Sequence, residues 1–305
     1  MTDDSTNQHD IAWSPDSSRI VYVVDRNQGW ELSIMNADGS GKQILRAFHA
    51  WIGHPSFNPD GTKIVFSTDT SLTPEYRYKT IWLWDGREAK TLYSGKADQA
   101  WPDYSPDGSR LAFASKEAGN FDIWLMKEDG TGLKRLTDSP EDEIAPEWSP
   151  DGKWIAYIRG GGVWKMRADG SRQVKLVSAN ASDRLSWSGE FIAYASKEGG
   201  IFNIWGTNEN GTRKLKLTNL SSNTGDPGFS PDGKRLAYTT VSRGNRSIWV
   251  MDFSNYEAPL ADTPAPPTPP PATVEEKAIS WTVIGAILIV VILPVAWAIF
   301  RALFR

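Results

Sequence analysis

His49 and His54 stand five residues apart in RAFHAWIGHPS, beside Phe48 and Trp51, and they are the pair that most resembles a metal ligand set. With no cysteine in the chain, zinc there would need carboxylates from elsewhere in the fold, so no metal is assigned. A second group, Glu141, Asp142, Glu143 and Glu147 in SPEDEIAPE, has the composition of a metal or partner site; a solvated acidic loop is the simpler reading. The turns NADGSG and KEDGTG lack the spaced acids and closing glutamate of a calcium loop. No G-x-S-x-G elbow occurs, and DGSGKQ around Gly41 lacks the spacing of a phosphate loop, so no catalytic residue and no cofactor are assigned.

The elements that must position these residues repeat. WSPDSSRIVY from Trp13 recurs as FNPDGTKIVF from Phe57, YSPDGSRLAF from Tyr104, WSPDGKWIAY from Trp148, a shortened WSGEFIAY from Trp187 and FSPDGKRLAY from Phe229. The aromatic starts lie 39 to 47 residues apart, the period of a four-stranded propeller blade. Proline presets one turn angle, aspartate bonds its own backbone and glycine tolerates the tight exit, so each motif closes a hairpin. The following strand carries an aromatic column, Tyr22, Phe66, Phe113, Tyr157, Tyr194 and Tyr238. A third strand places Trp82, Trp124, Trp164, Trp205 and Trp249 in one column, with Ser33 the exception, and a fourth repeats Leu45, Leu92, Leu136, Leu176, Leu217 and Leu260. Such sheets bury both faces only by stacking around an axis. The expected fold is therefore all-β, a six-bladed β-propeller of four-stranded antiparallel blades, each complete within its own repeat.

WSPDGK-IAY followed by IW-M--DG and -LT resembles the repeat of the TolB-like β-propeller family, a relative of the WD-repeat class, over Ile11 to Asp262. The resemblance implies fold more than function. The family's founding member has a signal peptide and an α/β domain ahead of its propeller; neither is read here, and its lipoprotein partnership is not carried over. The repeats are also similar to propellers that gate dipeptidyl-peptidase and prolyl-oligopeptidase enzymes, whose hydrolase domain is not read here either. A formal charge of −4, nearly balanced between 33 basic and 37 acidic residues, leaves no footprint for nucleic acid.

Residues 1–10 read as an N-terminal tail, 11–262 as the propeller and 263–277 as an extended proline-rich linker. Residues 278–300 contain no charge, and as a helix they would reach about 35 Å, enough to cross a bilayer core of about 30 Å. Trp281 and Trp297 stand as interfacial anchors, Pro294 is tolerable in a membrane helix, and 301–305 form a short basic tail. Arg301 and Arg305 outnumber Lys277 across the span, which places the propeller outside the cytoplasm, in the periplasm or at the cell surface. MTDDSTNQHDIAW has no basic and apolar leader, which keeps the cytosolic face as the alternative.

Two classes of function follow. A membrane-tethered binding or scaffold module needs only propeller, spacer and anchor. An enzyme, or an accessory propeller gating a peptidase-type hydrolase, would need carboxylates lining the central channel. The residues just before the innermost strand's proline column, Asp10, His54, Trp101, Ala145, Arg184 and Asp226, are a mixed set and favour binding. The expected contact surface for a protein or small ligand is the loop rim around blade 2, where Phe48, His49, Trp51, His54, Tyr76, Arg77, Tyr78 and Trp101 gather. Tryptophan, tyrosine and arginine dominate interface hot spots. The competing reading is that Trp51 and Trp101 fill gaps between blades.

Overall fold

Each Ser-Pro-Asp-Gly turn is locked by its own side chains before any blade packs. Ser105 Oγ donates to Asp107 Oδ1 at 2.6 Å and accepts Arg110 N at 3.0 Å; Ser149 does the same with Asp151 and Trp154 N at 2.7 and 2.9 Å. Glycine takes the left-handed position, as at Gly108 with φ 71° and Gly152 with φ 67°. Blade 1 has Ser17 there instead, at φ 58°.

The computed structural model describes residues 6–26, 29–69, 78–189, 191–242 and 244–254. Blade 1 holds β1 (Asn7–Trp13), β2 (Arg19–Arg26), β3 (Gly29–Asn36) and β4 (Gln43–Phe48). Blade 2 holds β5 (Ile52–Phe57), β6 (Ile64–Thr68), β7 (Thr80–Trp84) and β8 (Ala89–Tyr93). Blade 3 holds β9 (Gln99–Tyr104), β10 (Arg110–Ser115), β11 (Asp122–Lys127) and β12 (Lys134–Arg135). Blade 4 holds β13 (Glu143–Trp148), β14 (Trp154–Arg159), β15 (Gly162–Arg167) and β16 (Val174–Ser178). Blade 5 holds β17 (Ala181–Ser188), β18 (Phe191–Ser196), β19 (Asn203–Asn208) and β20 (Lys214–Lys216), and blade 6 β21 (Thr224–Phe229), β22 (Arg235–Ser242) and β23 (Asn245–Asp252).

Consecutive strands pair antiparallel, so each blade is built from one continuous stretch, as the repeats predict. The innermost strand of blade 1 begins at Asn7, inside the stretch read as a tail. The fourth strand expected at Leu260, the linker 263–277, the span 278–300 and the tail 301–305 lie outside the described residues. Among the described residues no helix is long and apolar enough to cross a membrane.

The aromatic columns meet in register. Phe66 faces Trp82, Phe113 faces Trp124, Tyr157 faces Trp164, Tyr194 faces Trp205 and Tyr238 faces Trp249 on adjacent strands. Such cross-strand pairs are the unit of sheet stability. In blade 1 Tyr22 faces Ser33, and Tyr22 packs with Ile20 and Met35 against Ala237 and Ile248 of blade 6. Neighbouring blades bury one another elsewhere in the same way: Val21, Leu32 and Ile34 pack with Ile52, Ile64 and Phe66.

The ring closes between blades 6 and 1 by side chains. Trp13 Nε1 donates to the Gly228 carbonyl at 2.8 Å, Asp232 N donates to Ser17 Oγ at 3.2 Å, and Arg235 Nη2 donates to the Ser17 carbonyl. The Arg235 guanidinium also lies 4.7 Å from the Trp13 ring centroid. The serine at a glycine-type position is thereby explained: its hydroxyl and carbonyl serve the seam. Replacing Arg235 by alanine should lower stability by about 1–2 kcal/mol. Urea unfolding would show this as a lower midpoint, and hydrogen exchange should rise first in β1 and β21.

Candidate functional site

The six innermost strands each break register with the neighbouring strand near their middle, as between Gly53 and Ser56 in blade 2 and between Ile144 and Glu147 in blade 4. In five blades a non-glycine residue at the break is left-handed: Asp10, His54, Trp101, Ala145 and Asp226, with φ between 47° and 56°. A bulge of this kind re-aims side chains. Arg184 occupies the corresponding place in blade 5, within the longer break from Ala181 to Leu185.

This layer is a polar network spanning the axis. Arg184 Nη2 from blade 5 donates to the Ile11 carbonyl of blade 1 at 2.8 Å, and its Nη1 lies 3.8 Å from Asp10 Oδ1. His9 Nδ1 is 2.9 Å from Asp10 Oδ2, and His54 Nε2 from blade 2 is 4.0 Å from Asp10 Oδ1. On blade 6, Asp226 Oδ2 accepts Thr239 Oγ1 at 2.8 Å and lies 3.6 Å from Arg246 Nη1. The mixed set read from the sequence is thus a complementary one. Burial would raise the Asp10 carboxyl, but the hydrogen bond from His9 and the Arg184 guanidinium hold it below the usual range. Burial pushes His54 down to about 3 against the pull of Asp10, so it is neutral at neutral pH. Burial opposes protonation of His9 as well, yet its contact with Asp10 leaves it raised.

On the turn side of this network the channel widens into a cavity of about 390 Å³. Pro15, Pro59, Pro106, Pro150 and Pro231 of the turn motifs ring its mouth, and Ser56, Asp103, Glu147 and Ser186 line its wall. These four side chains hold one position, the residue before each blade's aromatic start, and do one job. Ser56 Oγ accepts Tyr104 N at 3.4 Å, Asp103 Oδ2 accepts Trp148 N at 2.9 Å, Glu147 Oε1 accepts Trp187 N at 3.3 Å and Ser186 Oγ accepts Phe229 N at 2.9 Å. Each of these four inner strands therefore latches the backbone of the next blade. Ser56 Oγ also donates to Asp103 Oδ1 at 2.9 Å. Burial pushes Asp103 up to about 6 despite these donors. Burial and then the charge of Asp103 raise Glu147 well above the carboxylate range.

Asp103 was not singled out in the sequence, and Glu147 was read there with an acidic loop. The loop dissolves in the structure. Glu143 is buried in β13 and pairs with Arg159 at 3.1 Å, Asp142 Oδ1 accepts Phe121 N at 2.9 Å, Glu147 faces the axis and Glu141 is exposed. The position before the aromatic start was the available signal, since it reads Ala12, Ser56, Asp103, Glu147, Ser186 and Gly228 in the six repeats. Among the described residues no three histidines or acids are grouped so as to hold a metal.

The residues expected on the blade 2 rim divide. Trp51, His54 and Trp101 come together: Trp51 is edge-on to His54 at 5.4 Å, and His54 lies against Trp101 at 4.7 Å. The ladder continues from Trp51 to Trp30 at 6.5 Å and from Trp101 to Phe121 at 5.3 Å, with the Lys79 ammonium 4.3 Å from the Trp51 ring. Phe48 is 9% exposed and packs on Phe66 and Trp82, so it serves the core. His49 is exposed and Tyr78 half-buried, while Tyr76 and Arg77 lie outside the described residues.

The pKa of Asp103 gives a pH dependence of definite sign. A carboxyl protonated more readily when folded favours the native state at low pH, and that contribution disappears as pH rises from about 4 through about 6. Asp103→Asn should remove a fall in stability on the order of 2 kcal/mol across this window. Urea midpoints of the variant and the parent protein from pH 4 to 8 would measure it.

Comparison with known proteins adds three findings. A family model described as PD40, TolB beta propeller domain, matches residues 17–251. The Tol-Pal system protein TolB of Anaeromyxobacter dehalogenans (strain 2CP-C) is 32% identical over 114 residues, which are 37% of this chain and 25% of that protein, so the match spans a quarter of the relative's length. Among solved structures, TolB from Acinetobacter baumannii aligns with a TM-score of 0.61 at 24% identity, covering 68% of this chain and 53% of that one. Oligogalacturonate lyase from Vibrio parahaemolyticus aligns with a TM-score of 0.53 at 15% identity, covering 81% and 91%. Both structural likenesses are of fold.

Proposed function

Because the chain belongs to the TolB beta propeller domain family, we propose that it is a protein-binding module whose axial mouth receives part of a partner, held at a membrane by its C-terminal segment. The observation that carries this reading is the 390 Å³ cavity open among five turn prolines. Proline rings present apolar surface that is already ordered, so docking against them loses little conformational freedom. The volume suits one or two inserted side chains. The curated relatives are named as Tol-Pal system proteins, and a role within an assembly extends naturally to a chain with this mouth.

The tether rests on the uncharged stretch 278–300 and its proline-rich spacer 263–277. Arg301 and Arg305 favour an extracytoplasmic propeller, with the cytosolic face as the alternative. The enzyme reading draws on Asp103 and Glu147, which do face the channel. Each has an oxygen committed to the next blade's N–H, a duty that Ser56 and Ser186 share, and this favours a structural seam over an acid–base pair.

The two mouths are separable by variants. Ala12→Trp fills the cavity from the one lining position of this column that latches nothing, whereas replacing Tyr76, Arg77 and Tyr78 together by alanine tests the contact surface read from the sequence at blade 2. Cross-linking in native membranes, with partners identified by mass, should show capture lost in Ala12→Trp and kept in the triple variant. The reverse pattern moves the site to the blade 2 rim; capture by both at parental strength refutes an axial or rim site. Removing residues 278–305 should release the protein from membranes, and alkaline carbonate should leave the full chain bound.

A further inference from the structure

We infer that the axial cavity receives a positively charged group, the lysine or arginine side chain of a partner protein, between Asp103 and Glu147. This rests on the protein-binding reading above and adds the chemistry of the inserted residue.

The fully buried carboxylates of the propeller set the standard. Asp10 has His9 and Arg184, Asp122 has Arg135 at 2.9 Å, Glu143 has Arg159 at 3.1 Å and Asp226 has Arg246 at 3.6 Å. A carboxylate withdrawn from water needs such a partner. Asp103 and Glu147 are half-buried, face the cavity and make no ion pair among the described residues. Asp103 receives only a hydroxyl and a peptide N–H, and Glu147 only a peptide N–H. Arg184, the cation that lines the same cavity, is already engaged by the Ile11 carbonyl and Asp10.

Nor does the latch require charge. Ser56 and Ser186 accept the next blade's N–H from the same position, and at the sixth seam the Gly228 carbonyl accepts Trp13 Nε1. Two adjacent blades thus carry negative charge that their structural duty does not explain, aimed into a cavity the propeller does not fill. A cation entering there meets two carboxylates, while its methylene stem passes along the proline rim and the apolar wall. Burial raises both acids even though the Arg184 charge lowers each, and a bound cation would draw both further towards the ionised form.

The test uses the full chain in detergent micelles and two capped tripeptides, Ac-Gly-Lys-Gly-NH2 and its norleucine counterpart, titrated by tryptophan fluorescence and by calorimetry. The lysine peptide should bind at least about tenfold more tightly than the norleucine peptide, and its affinity should rise about tenfold from pH 5 to pH 8 as the carboxyls ionise. The double variant Asp103→Asn, Glu147→Gln keeps an acceptor oxygen at each latch, so it should fold with an unchanged or raised melting temperature. It should lose both the lysine preference and the pH dependence. Equal binding of the two peptides, or a lysine preference that survives in the double variant, overturns the inference. Partner capture read in parallel separates the two levels: capture lost in Ala12→Trp but kept in the double variant leaves the binding module standing and removes its charge specificity.

Discussion

In four of the six blades the inner strand satisfies a backbone N–H of the next blade, and that contact organises the axis. The N–H at each aromatic start points away from its own sheet at the inner edge, where water is scarce and an unpaired donor is expensive. The preceding blade supplies the acceptor from a single strand position, by a hydroxyl, a carboxylate or, at the closing seam in a different form, a carbonyl for the tryptophan ring. Blade order, strand register and channel radius are tied together by this contact. The cavity is what remains when these four acceptors have been drawn to the wall.

Above the cavity the same strands do the opposite and fill the axis. Left-handed bulge residues turn inward and Arg184 crosses from blade 5 to blade 1. A strained backbone at five equivalent positions is tolerable because each blade repeats it and the polar network fixes the result. One half of the channel is therefore a cross-brace and the other a mouth. Closing one end gives the open end a floor.

The fold was legible because its signals are local and periodic. Ser-Pro-Asp-Gly states its own turn chemistry, and alternation states which residues share a face, so blade number and strand order follow from counting. Trp51, His54 and Trp101 lie together because consecutive inner strands are neighbours. Phe48 was not separable from them by type: its place at the end of β4 sends it into the core, a matter of strand direction. Asp103 and Glu147 were hidden for a different reason. Each stands where an equivalent blade has serine, and whether a carboxylate meets water, an arginine or an empty space depends on contacts between blades that no single repeat contains.

The closing seam has a mechanical consequence. Among the described residues no strand is hydrogen-bonded into a sheet across it, so blades 6 and 1 are joined by side chains of Trp13, Ser17 and Arg235 and by the faces they bury. The last described strand, β23, belongs to blade 6. Tension entering along the polypeptide after Asp252 would load that blade before any other, and the seam would resist it by peeling of a few contacts in turn, where a shared strand would have had to shear all its hydrogen bonds at once. Among the described strands, the seam beside β23 is thus where a pull on blade 6 would begin to open the ring.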